Sequence, residues 1–326
     1  MQTPYEVVKN SIHFNDPDRL PVEFRIFNDC DTHMAKWNQT GTGNKKMKET
    51  YDEWGCRWQR SGVKNMGQVT GHPLLEWNNI DLFRWPDPDN KAYYEGMEQR
   101  FENSSGKYIK TDIFMLLFER MHALRGFENV LTDLYLEREN IEMLADKIVE
   151  YDVRIIENIS KAFPGIIHGL SFTDDWGTEQ ATFISVKLFD EFFKPRYKKI
   201  FDAAKKAGWD LWMHSCGKIN EIIPSLIDVG VDVLNMQQPI TNGIAEIGNR
   251  FAGKVCFSTV CDIQKTLPFK SNEEIENEAL DLVQQWGTDK GGLIISDYGD
   301  GAAIGVTLEK KRIMYDKFKT CDRWKK

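Results

Sequence analysis

Several features that would assign a protein to a broad class are missing from this sequence. No apolar run in its 326 residues approaches the length that spans a bilayer, and residues 1–14 lack the apolar core of a signal peptide. There is no basic block, and 42 Lys and Arg stand against 50 Asp and Glu, a net charge of -8. We therefore expect neither a nucleic-acid nor a membrane partner. The six cysteines show no disulfide-framework spacing, which favours a cytoplasmic protein whose thiols are free to bind metal.

What the chain does contain is an alternation of short apolar runs and amphipathic segments. The apolar runs predict strands at residues 20–25, 60–69, 109–114, 166–172, 209–213, 231–234, 254–258 and 292–296. The amphipathic segments predict helices at about 3–14, 91–104, 138–163, 185–207, 218–229, 243–250, 272–286 and 307–319. Pro195 predicts a kink or a break in the 185–207 helix. Since helices alternate with about eight strands, we predict an α/β protein with a single (β/α)8 TIM barrel, and a doubly wound open sheet is the alternative.

Five tryptophans lie between residues 34 and 88. We interpret residues 34–88 as an insertion within a single domain that spans residues 1–326. One interpretation is that these rings pack together as a small core of the insertion. The other is that they form an aromatic lid over a planar or methylated substrate. Both can hold for different rings. The five residues are Trp37, Trp54, Trp58, Trp77 and Trp85.

A His-x-Cys motif follows the strand predicted at residues 209–213. Side chains at positions i and i+2 of an extended backbone point the same way, so His214 and Cys216 can reach one ion. Both are ligands that zinc accepts, and parallel barrels build their sites at the carboxyl ends of strands. A catalytic zinc typically keeps three protein ligands, so one more is needed. Candidates that the sequence does not rank are Cys261, Asp297 and Asp300.

Polar residues also follow other predicted strands. Arg25 follows the first strand, and Asp174 and Asp175 follow the strand at 166–172. One of the paired aspartates can serve as a general acid beside an ionised neighbour, or one of them can cap the helix that begins near Ser185 or the loop before it. We predict Arg25, Asp174 and Asp175 as catalytic residues. The residues expected to contact a cofactor are Asn235, Gln237 and Tyr298.

Five segments, taken jointly and in order, resemble the uroporphyrinogen decarboxylase superfamily. They are residues 14–22 (FNDPDRLPV), 193–198 (FKPRYK), 214–217 (HSCG), 230–235 (GVDVLN) and 291–295 (GGLII). The resemblance implies a distorted (β/α)8 barrel. The true decarboxylase carries an Arg-Gln-Ala-Gly-Arg segment after its first strand, which holds porphyrinogen carboxylates. Here residues 24–31 contain one arginine and two aspartates, a charge that disfavours an anionic tetrapyrrole.

The sequence is closer to the zinc-dependent corrinoid methyltransferases of the superfamily. Their His-x-Cys matches His214 and Cys216, but where they place a cysteine ligand after the last strand, residues 296–300 read SDYGD. The resemblance therefore implies Zn2+ at His214 and Cys216, completed by a carboxylate or by Cys261, or else no metal.

The activity implied is methyl transfer from or to a small O- or N-methylated compound, with a corrinoid (cobalamin) protein as acceptor or donor. The alternative is a cofactor-independent decarboxylase or lyase, in which Arg25 orients a carboxylate and an aspartate protonates the carbanion. A third possibility is a ligand-binding protein on an inactive barrel. The sequence makes no prediction of oligomeric state.

Overall fold

A sheet of nine strands, nearly closed into a barrel, forms the centre of the computed structural model, which describes residues 1–39, 49–60, 67–102 and 104–324. The described strands are β1 (Val22–Phe24), β2 (Asp29–Cys30), β3 (Thr32–Met34), β4 (Glu49–Tyr51), β5 (Arg57–Gln59), β6 (Gln68–Gly71), β7 (Tyr108–Ile113), β8 (Gly169–Thr173), β9 (Asp210–His214), β10 (Val233–Met236), β11 (Cys256–Thr259) and β12 (Leu293–Ser296). The nine run in the order β2-β1-β12-β11-β10-β9-β8-β7-β3. Each neighbouring pair is parallel except β1 and β2. The prediction of a distorted TIM barrel is confirmed.

Helices cover the outside of this sheet, as the alternation in the sequence predicts. They are α1 (Pro4–Ile12), α2 (Phe118–Arg125), α3 (Phe127–Leu136), α4 (Arg138–Ala162), α5 (Val186–Leu188), α6 (Lys194–Lys206), α7 (Ile223–Asp228), α8 (Pro239–Asn242), α9 (Ile244–Phe251), α10 (Thr266–Phe269), α11 (Asn272–Trp286) and α12 (Leu308–Thr320). Helix α4 buries Ile141, Leu144, Ile148 and Ile155, whose spacing of three, four and seven residues forms one apolar face. Within the described residues, no helix combines the length and the apolarity needed to cross a membrane.

The two ends of the sheet are joined at Asp31. Its backbone N–H donates to the carbonyl of Val22 (2.8 Å), and its carbonyl accepts from the N–H of Tyr108 (3.0 Å). Its carboxylate accepts from the N–H of Val22 (2.8 Å) and from both terminal nitrogens of Arg19 (2.6 and 2.7 Å). Asp31 therefore bridges β1 and β7, which lie on either side of the gap in the barrel.

Two predicted elements differ from the structure. The predicted strand at residues 60–69 overlaps β6, which belongs to a separate antiparallel sheet, β4-β5-β6, and not to the barrel; residues 61–66 lie outside the described part. The barrel strand that the prediction lacks is β3, a short polar segment with no hydrophobic run to indicate it. The predicted helix at 91–104 contains two 3-10 turns, Lys91–Tyr93 and Glu98–Phe101.

The predicted interruption at Pro195 takes the form of a π-helical turn. This turn, Phe189–Phe193, lies between α5 and α6, and the N–H of Lys194 donates to the carbonyl of Phe189. Pro195 then stands in the first turn of α6, directly after the π-helical turn, and because it has no N–H it cannot donate to a carbonyl of that turn.

The tryptophans of the predicted insertion join the main core instead of forming one of their own. Trp37, Trp54 and Trp58 are 2–3% exposed and belong to the same buried cluster as the barrel residues. Trp77 and Trp85 are partly buried against that cluster. Residues 40–48, also part of the predicted insertion, lie outside the described residues. A lid role for this segment stays a prediction.

Candidate metal centre at the barrel mouth

Three potential metal ligands meet at the carboxyl ends of β8 and β9. His214 ends β9, Cys216 lies two residues later, and Asp175 lies two residues beyond the end of β8. Their ligand atoms all lie within 4.8 Å of one another. The Sγ of Cys216 is 3.4 Å from the Nε2 of His214, which is 3.8 Å from Oδ1 of Asp175. Because zinc bonds of about 2.0–2.3 Å at tetrahedral angles hold nitrogen, sulfur and oxygen donors about 3.4–3.6 Å apart, this arrangement fits a zinc ion.

Asn235 fixes the orientation of the His214 ring. Its Nδ2 faces the carbonyl oxygen of Ser258 (3.2 Å), which can only accept, so its Oδ1 faces Nδ1 of His214 (2.8 Å). Nδ1 of His214 therefore carries the proton and donates to Asn235. Nε2 is left with its lone pair directed toward Cys216 and Asp175, which is the tautomer that a metal ligand requires.

A close approach of two glycines brings the β8 and β9 loops together. Gly217 has a φ of +77°, and a Cβ atom there would overlap the carbonyl of Gly177. A Cβ on Gly177 would lie 2.5 Å from the backbone nitrogen of Lys218. This contact permits the N–H of Cys216 to donate to Oδ1 of Asp175 at 2.7 Å. The two glycines therefore bring together the Asp175 carboxylate and the Cys216 thiol, which follow different strands.

Asp174, adjacent to Asp175, has a different environment. It is fully buried, and its oxygens accept from the N–H groups of Leu117, Phe118 and Glu119 (3.0, 3.0 and 2.6 Å) and from the hydroxyl of Tyr197 (2.5 Å). Burial raises the pKa of Asp174 to about 6, against the effect of these donors. Both oxygens are therefore engaged in holding the N-terminus of α2. The sequence analysis allowed one of the two aspartates to cap a helix, but it named the helix near Ser185 and not α2. A catalytic role for Asp174 stays a prediction.

Glu119 is a residue of this region that the sequence analysis did not select. It lies in the first turn of α2 with 9% exposure, and its Oε2 has no hydrogen-bond partner within the described residues. Burial and then the charges of Asp175 and Asp174 raise the pKa of Glu119 to about 8. The signal available in the sequence was an acidic residue directly after Leu116, Leu117 and Phe118, beyond the end of a predicted strand.

The Cys216 thiol lies in surroundings that disfavour its ionised form. Burial is the largest cause that raises its pKa, followed by the negative charges of Asp175 and Glu119. A thiolate at this position therefore needs a cation to balance the charge.

A polar cavity of about 270 Å³ opens beside the cluster and is lined by residues of the barrel strands and of the segments that follow them. The Nζ of Lys110 lies 2.7 Å from the Glu23 carboxylate and 3.8 Å from the centre of the Trp212 ring. Burial would raise the pKa of Glu23, but Lys110 and the other donors lower it overall. Asn235 lines the cavity while bonding to His214, so it connects cavity and cluster. Further lining residues are Arg25, Ser171, Gln237, Ser258, Ser296, Asp297 and Gly299.

The predicted third ligands Cys261 and Asp297 are not brought to His214 and Cys216. Cys261 is fully buried, and its Sγ faces the carbonyl of Ile275 at 3.6 Å. Asp297 is held by the Nζ of Lys311, at 2.8 Å from Oδ1 and 3.0 Å from Oδ2. The residue that lies beside His214 and Cys216 is instead Asp175, which the sequence analysis predicted as a catalytic residue.

The other predicted site residues lie around the cavity or near the cluster. Arg25 and Gln237 line the cavity, and Arg25 is exposed. Tyr298 is half-buried, and burial, followed by the charges of Asp300 and Cys216, raises its pKa. Contacts of these residues with a cofactor stay predictions.

Comparison with known proteins gives a matching family model and solved structures of similar fold. A family model described as uroporphyrinogen decarboxylase (URO-D) matches residues 114–320. A search of curated proteins found no significant match. A solved methyltransferase from Methanosarcina mazei is similar at a TM-score of 0.67 and 14% identity, over 98% of this chain and 99% of that chain. At that identity the likeness concerns the fold.

Another solved structure, the IOLI protein with a bound zinc atom, is 11% identical over 69% of this chain and 86% of that chain. Its TM-score of 0.39 is too low for an inference about this protein.

Proposed function

The chain belongs to the uroporphyrinogen decarboxylase family, and from that premise we propose that it is a metal-dependent methyltransferase acting on a small O- or N-methylated compound. The observation that carries the proposal is the Asp175, His214 and Cys216 cluster beside a polar cavity at the barrel mouth. A true decarboxylase of this family requires no such cluster. The overall likeness to a methyltransferase fold agrees with the proposal.

We propose Zn2+ as the metal, because imidazole, thiolate and carboxylate are its usual protein ligands. When bound, Zn2+ supplies Lewis acidity, which lowers the pKa of a coordinated thiol or hydroxyl or polarises a C–O bond. Asn235 holds Nε2 of His214 toward the site, and the Cys216 N–H holds the Asp175 carboxylate. A reducing, cytoplasmic setting, which keeps Cys216 as a thiol, is part of the proposal.

The cavity is the proposed place of the methylated substrate. Its volume of about 270 Å³ suits a small molecule, and its walls offer hydroxyl, amide and charged groups. Lys110 covers the ring of Trp212, so the cavity does not present that aromatic face to a ligand. Arg25 is exposed at this cavity, and its positive charge is one of the causes that lower the pKa of Glu23, which also lines the cavity. Substrate would therefore be oriented by polar contacts.

The proposed methyl acceptor or donor is a corrinoid carried by a partner protein. This part of the proposal rests on the motif resemblance, in which His-x-Cys matches His214 and Cys216. Asn235, Gln237 and Tyr298 are the residues proposed to lie on the side of the site that the corrinoid approaches.

Metal analysis and a methyl-transfer assay test the proposal together. The purified protein is expected to hold one zinc per chain, and the double variant His214→Ala, Cys216→Ala is expected to hold none. Cys321→Ala is the matched control, since this half-buried thiol is not among the clustered ligands. Methyl transfer between cob(I)alamin and a panel of methyl ethers and methylamines should be lost in the double variant only. An active protein without metal would contradict the proposal.

A second candidate, a cofactor-independent decarboxylase, is favoured by one observation. Arg25 lines the cavity and can orient a substrate carboxylate, and a neighbouring aspartate can protonate the carbanion. Release of carbon dioxide from a candidate acid by metal-free protein would support this activity over methyl transfer. Loss of that release in Arg25→Gln, with the fold retained, would identify the residue that orients the acid.

A further inference from the structure

A buried ion pair forms part of the wall of the cavity at the barrel mouth. The Nζ of Lys110, on β7, lies 2.7 Å from Oε1 of Glu23, on β1, and the two side chains are only 6% and 13% exposed. Both residues line the cavity. A buried ion pair contributes little to stability, because removing two charges from water costs about as much as their attraction returns. The pair therefore calls for a role in the cavity.

This pair keeps a donor and an acceptor for a ligand. The ammonium of Lys110 has three N–H donors; one is directed at Oε1 of Glu23, and the ring of Trp212 lies on another side, 3.8 Å from Nζ. The hydroxyl of Thr32 also donates to Oε1 of Glu23. Within the described residues, no further hydrogen bond reaches Nζ of Lys110 or Oε2 of Glu23. A ligand in the cavity can therefore accept from Lys110 and donate to Glu23.

Two serines on neighbouring strands add another acceptor and another donor. The hydroxyl of Ser296 donates to the carbonyl of Thr259 (3.1 Å), so its oxygen can still accept from a ligand. The oxygen of Ser258 accepts from Nδ2 of Asn235 (3.1 Å), so its proton can be donated to a ligand. Both serines line the cavity, and their strands, β12 and β11, follow β1 in the order of the sheet.

A ligand that carries several hydroxyl groups matches this wall. A hydroxyl both donates and accepts, so two neighbouring hydroxyls can bond to Glu23 and Lys110 at the same time. A charged group does not match the pair, because a carboxylate attracted by Lys110 meets Glu23, and an ammonium attracted by Glu23 meets Lys110. An apolar ligand would leave the buried donors and acceptors without partners. The wall therefore favours a neutral, polyhydroxylated ligand.

We propose that the substrate is a methyl ether of a polyhydroxy compound, a sugar or a cyclitol, and that Glu23 and Lys110 bind two of its free hydroxyls. The inference rests on the proposed function and narrows its substrate from O- or N-methylated compounds to the methyl ethers of polyols. Asn235 lines the cavity and bonds to His214, so the O-methyl group belongs on the Asn235 side, next to the metal cluster.

Isothermal titration calorimetry with the purified full chain tests the substrate class without measuring turnover. The ligands are the mono-O-methyl ethers of glucose and of myo-inositol, compared with 4-methoxybenzoate and trimethylamine, which carry methyl groups but no pair of hydroxyls. We expect saturable binding of at least one of the ethers and none of the two comparison compounds. If no ether binds, the substrate class is wrong.

The double variant Glu23→Gln, Lys110→Met tests the ion pair. It removes both charges, so neither is left buried without its partner. Because charge-assisted hydrogen bonds to the ligand are lost, the ethers should bind about 10–100-fold more weakly than to the wild type. The matched control is Asp133→Asn, Arg125→Met, which removes another buried ion pair (2.7 Å) whose residues do not line the cavity. This control should bind the ethers as the wild type does.

Cooperative thermal unfolding shows whether each variant folds. Ser296→Ala leaves the ion pair intact and removes one acceptor from the wall, so it gives a second measure, with ether binding expected to weaken about 3–10-fold. Wild-type affinity in the folded Glu23→Gln, Lys110→Met variant, or equal weakening in the control, would overturn the role of the pair. Unchanged ether binding in Ser296→Ala would count against the hydroxyl-binding wall.

Binding and methyl transfer together separate this inference from the proposed function. The variant His214→Ala, Cys216→Ala should still bind the ethers, because the hydroxyl contacts lie on other strands. Ether binding by the wild type without methyl transfer to cob(I)alamin would overturn the proposed function and leave the hydroxyl-binding role in place. Methyl transfer from trimethylamine or 4-methoxybenzoate, with no binding of the ethers, would overturn the substrate class alone.

Discussion

The Nδ1 of His214 donates to Oδ1 of Asn235 at 2.8 Å, and this bond selects the ring nitrogen that faces the barrel mouth. The amide cannot turn over, because its Nδ2 is directed at the carbonyl and hydroxyl oxygens of Ser258 (3.2 and 3.1 Å). Three adjacent strands, β9, β10 and β11, therefore act together on one imidazole. The orientation is set by the fold before any ion binds.

Replacing Asn235 should weaken metal binding without removing a ligand. In Asn235→Ala the imidazole loses the partner that fixes its tautomer and ring angle, and we expect Zn2+ affinity to fall about 10–100-fold. Competition with a chromophoric chelator measures this change. Gln237→Ala is the control, because Gln237 also lines the cavity, whereas Nδ1 of His214 is bonded to Asn235. Equal affinities in the two variants would show that Asn235 does not orient the ligand.

The same substitution should affect stability at Asp174 and zinc binding at Asp175. Asp174→Asn places an amide against three backbone N–H donors and should lower the free energy of unfolding by about 3 kcal/mol. Asp175→Asn keeps an acceptor for the Cys216 N–H, so its stability should change by less than about 1 kcal/mol while bound zinc is lost. Urea denaturation and metal analysis of both variants check this. A zinc-free but stable Asp174→Asn would reverse the two roles.

The barrel was predictable where burial on both faces makes a strand continuously apolar. Residues 209–213 and 292–296 were found for this reason, since parallel strands lie between the barrel interior and the helices. Strand β3, Thr32–Met34, was not found, because it is short and polar and is stabilised by its pairing with β7. That pairing is between residues more than 70 positions apart, as in Thr32 with Tyr108, so no local pattern can express it.

The candidate site was predictable in part for a similar reason. The i, i+2 spacing at the end of a strand was enough to place His214 and Cys216 together. It could not show which carboxylate joins them, because Asp175 and Cys216 meet through the contact of Gly177 with Gly217, a tertiary feature. Glu119 was missed because a charged residue in the first turn of a helix is ordinarily solvated.

The contact between Gly177 and Gly217 leads to a paired prediction. Gly217→Ala should disturb both loops, since its Cβ would overlap the carbonyl of Gly177. Gly208→Ala is the matched control: its φ of +81° resembles the +77° of Gly217, but a Cβ there meets nothing within 4 Å. The control should lose about 1–2 kcal/mol from left-handed strain alone. Gly217→Ala should lose more than the control and also bind less zinc, as measured by denaturation and metal analysis. Equal losses with full zinc content would exclude the loop contact as the cause.

Glu278 predicts a stability change with pH that is independent of the metal centre. Its carboxylate accepts from the N–H of Asp262 (2.6 Å) and from the hydroxyl of Thr266, and burial raises its pKa from 4.5 to about 7. Because the folded protein holds this proton between about pH 4.5 and 7 and the unfolded chain does not, the contribution of Glu278 to stability falls as the pH rises through that window. The shift corresponds to about 3 kcal/mol at most.

Glu278→Gln should remove this dependence, because the amide stays neutral at every pH. Urea denaturation at pH 5, 6, 7 and 8 is expected to show the variant gaining stability relative to the wild type as the pH rises, with the difference levelling off above pH 7. Glu273→Gln, at an exposed position in the same helix, controls for the removal of one acidic group. If the curves of Glu278→Gln and the wild type run parallel from pH 5 to pH 8, Glu278 keeps an ordinary pKa, and the proton is not held by the folded protein.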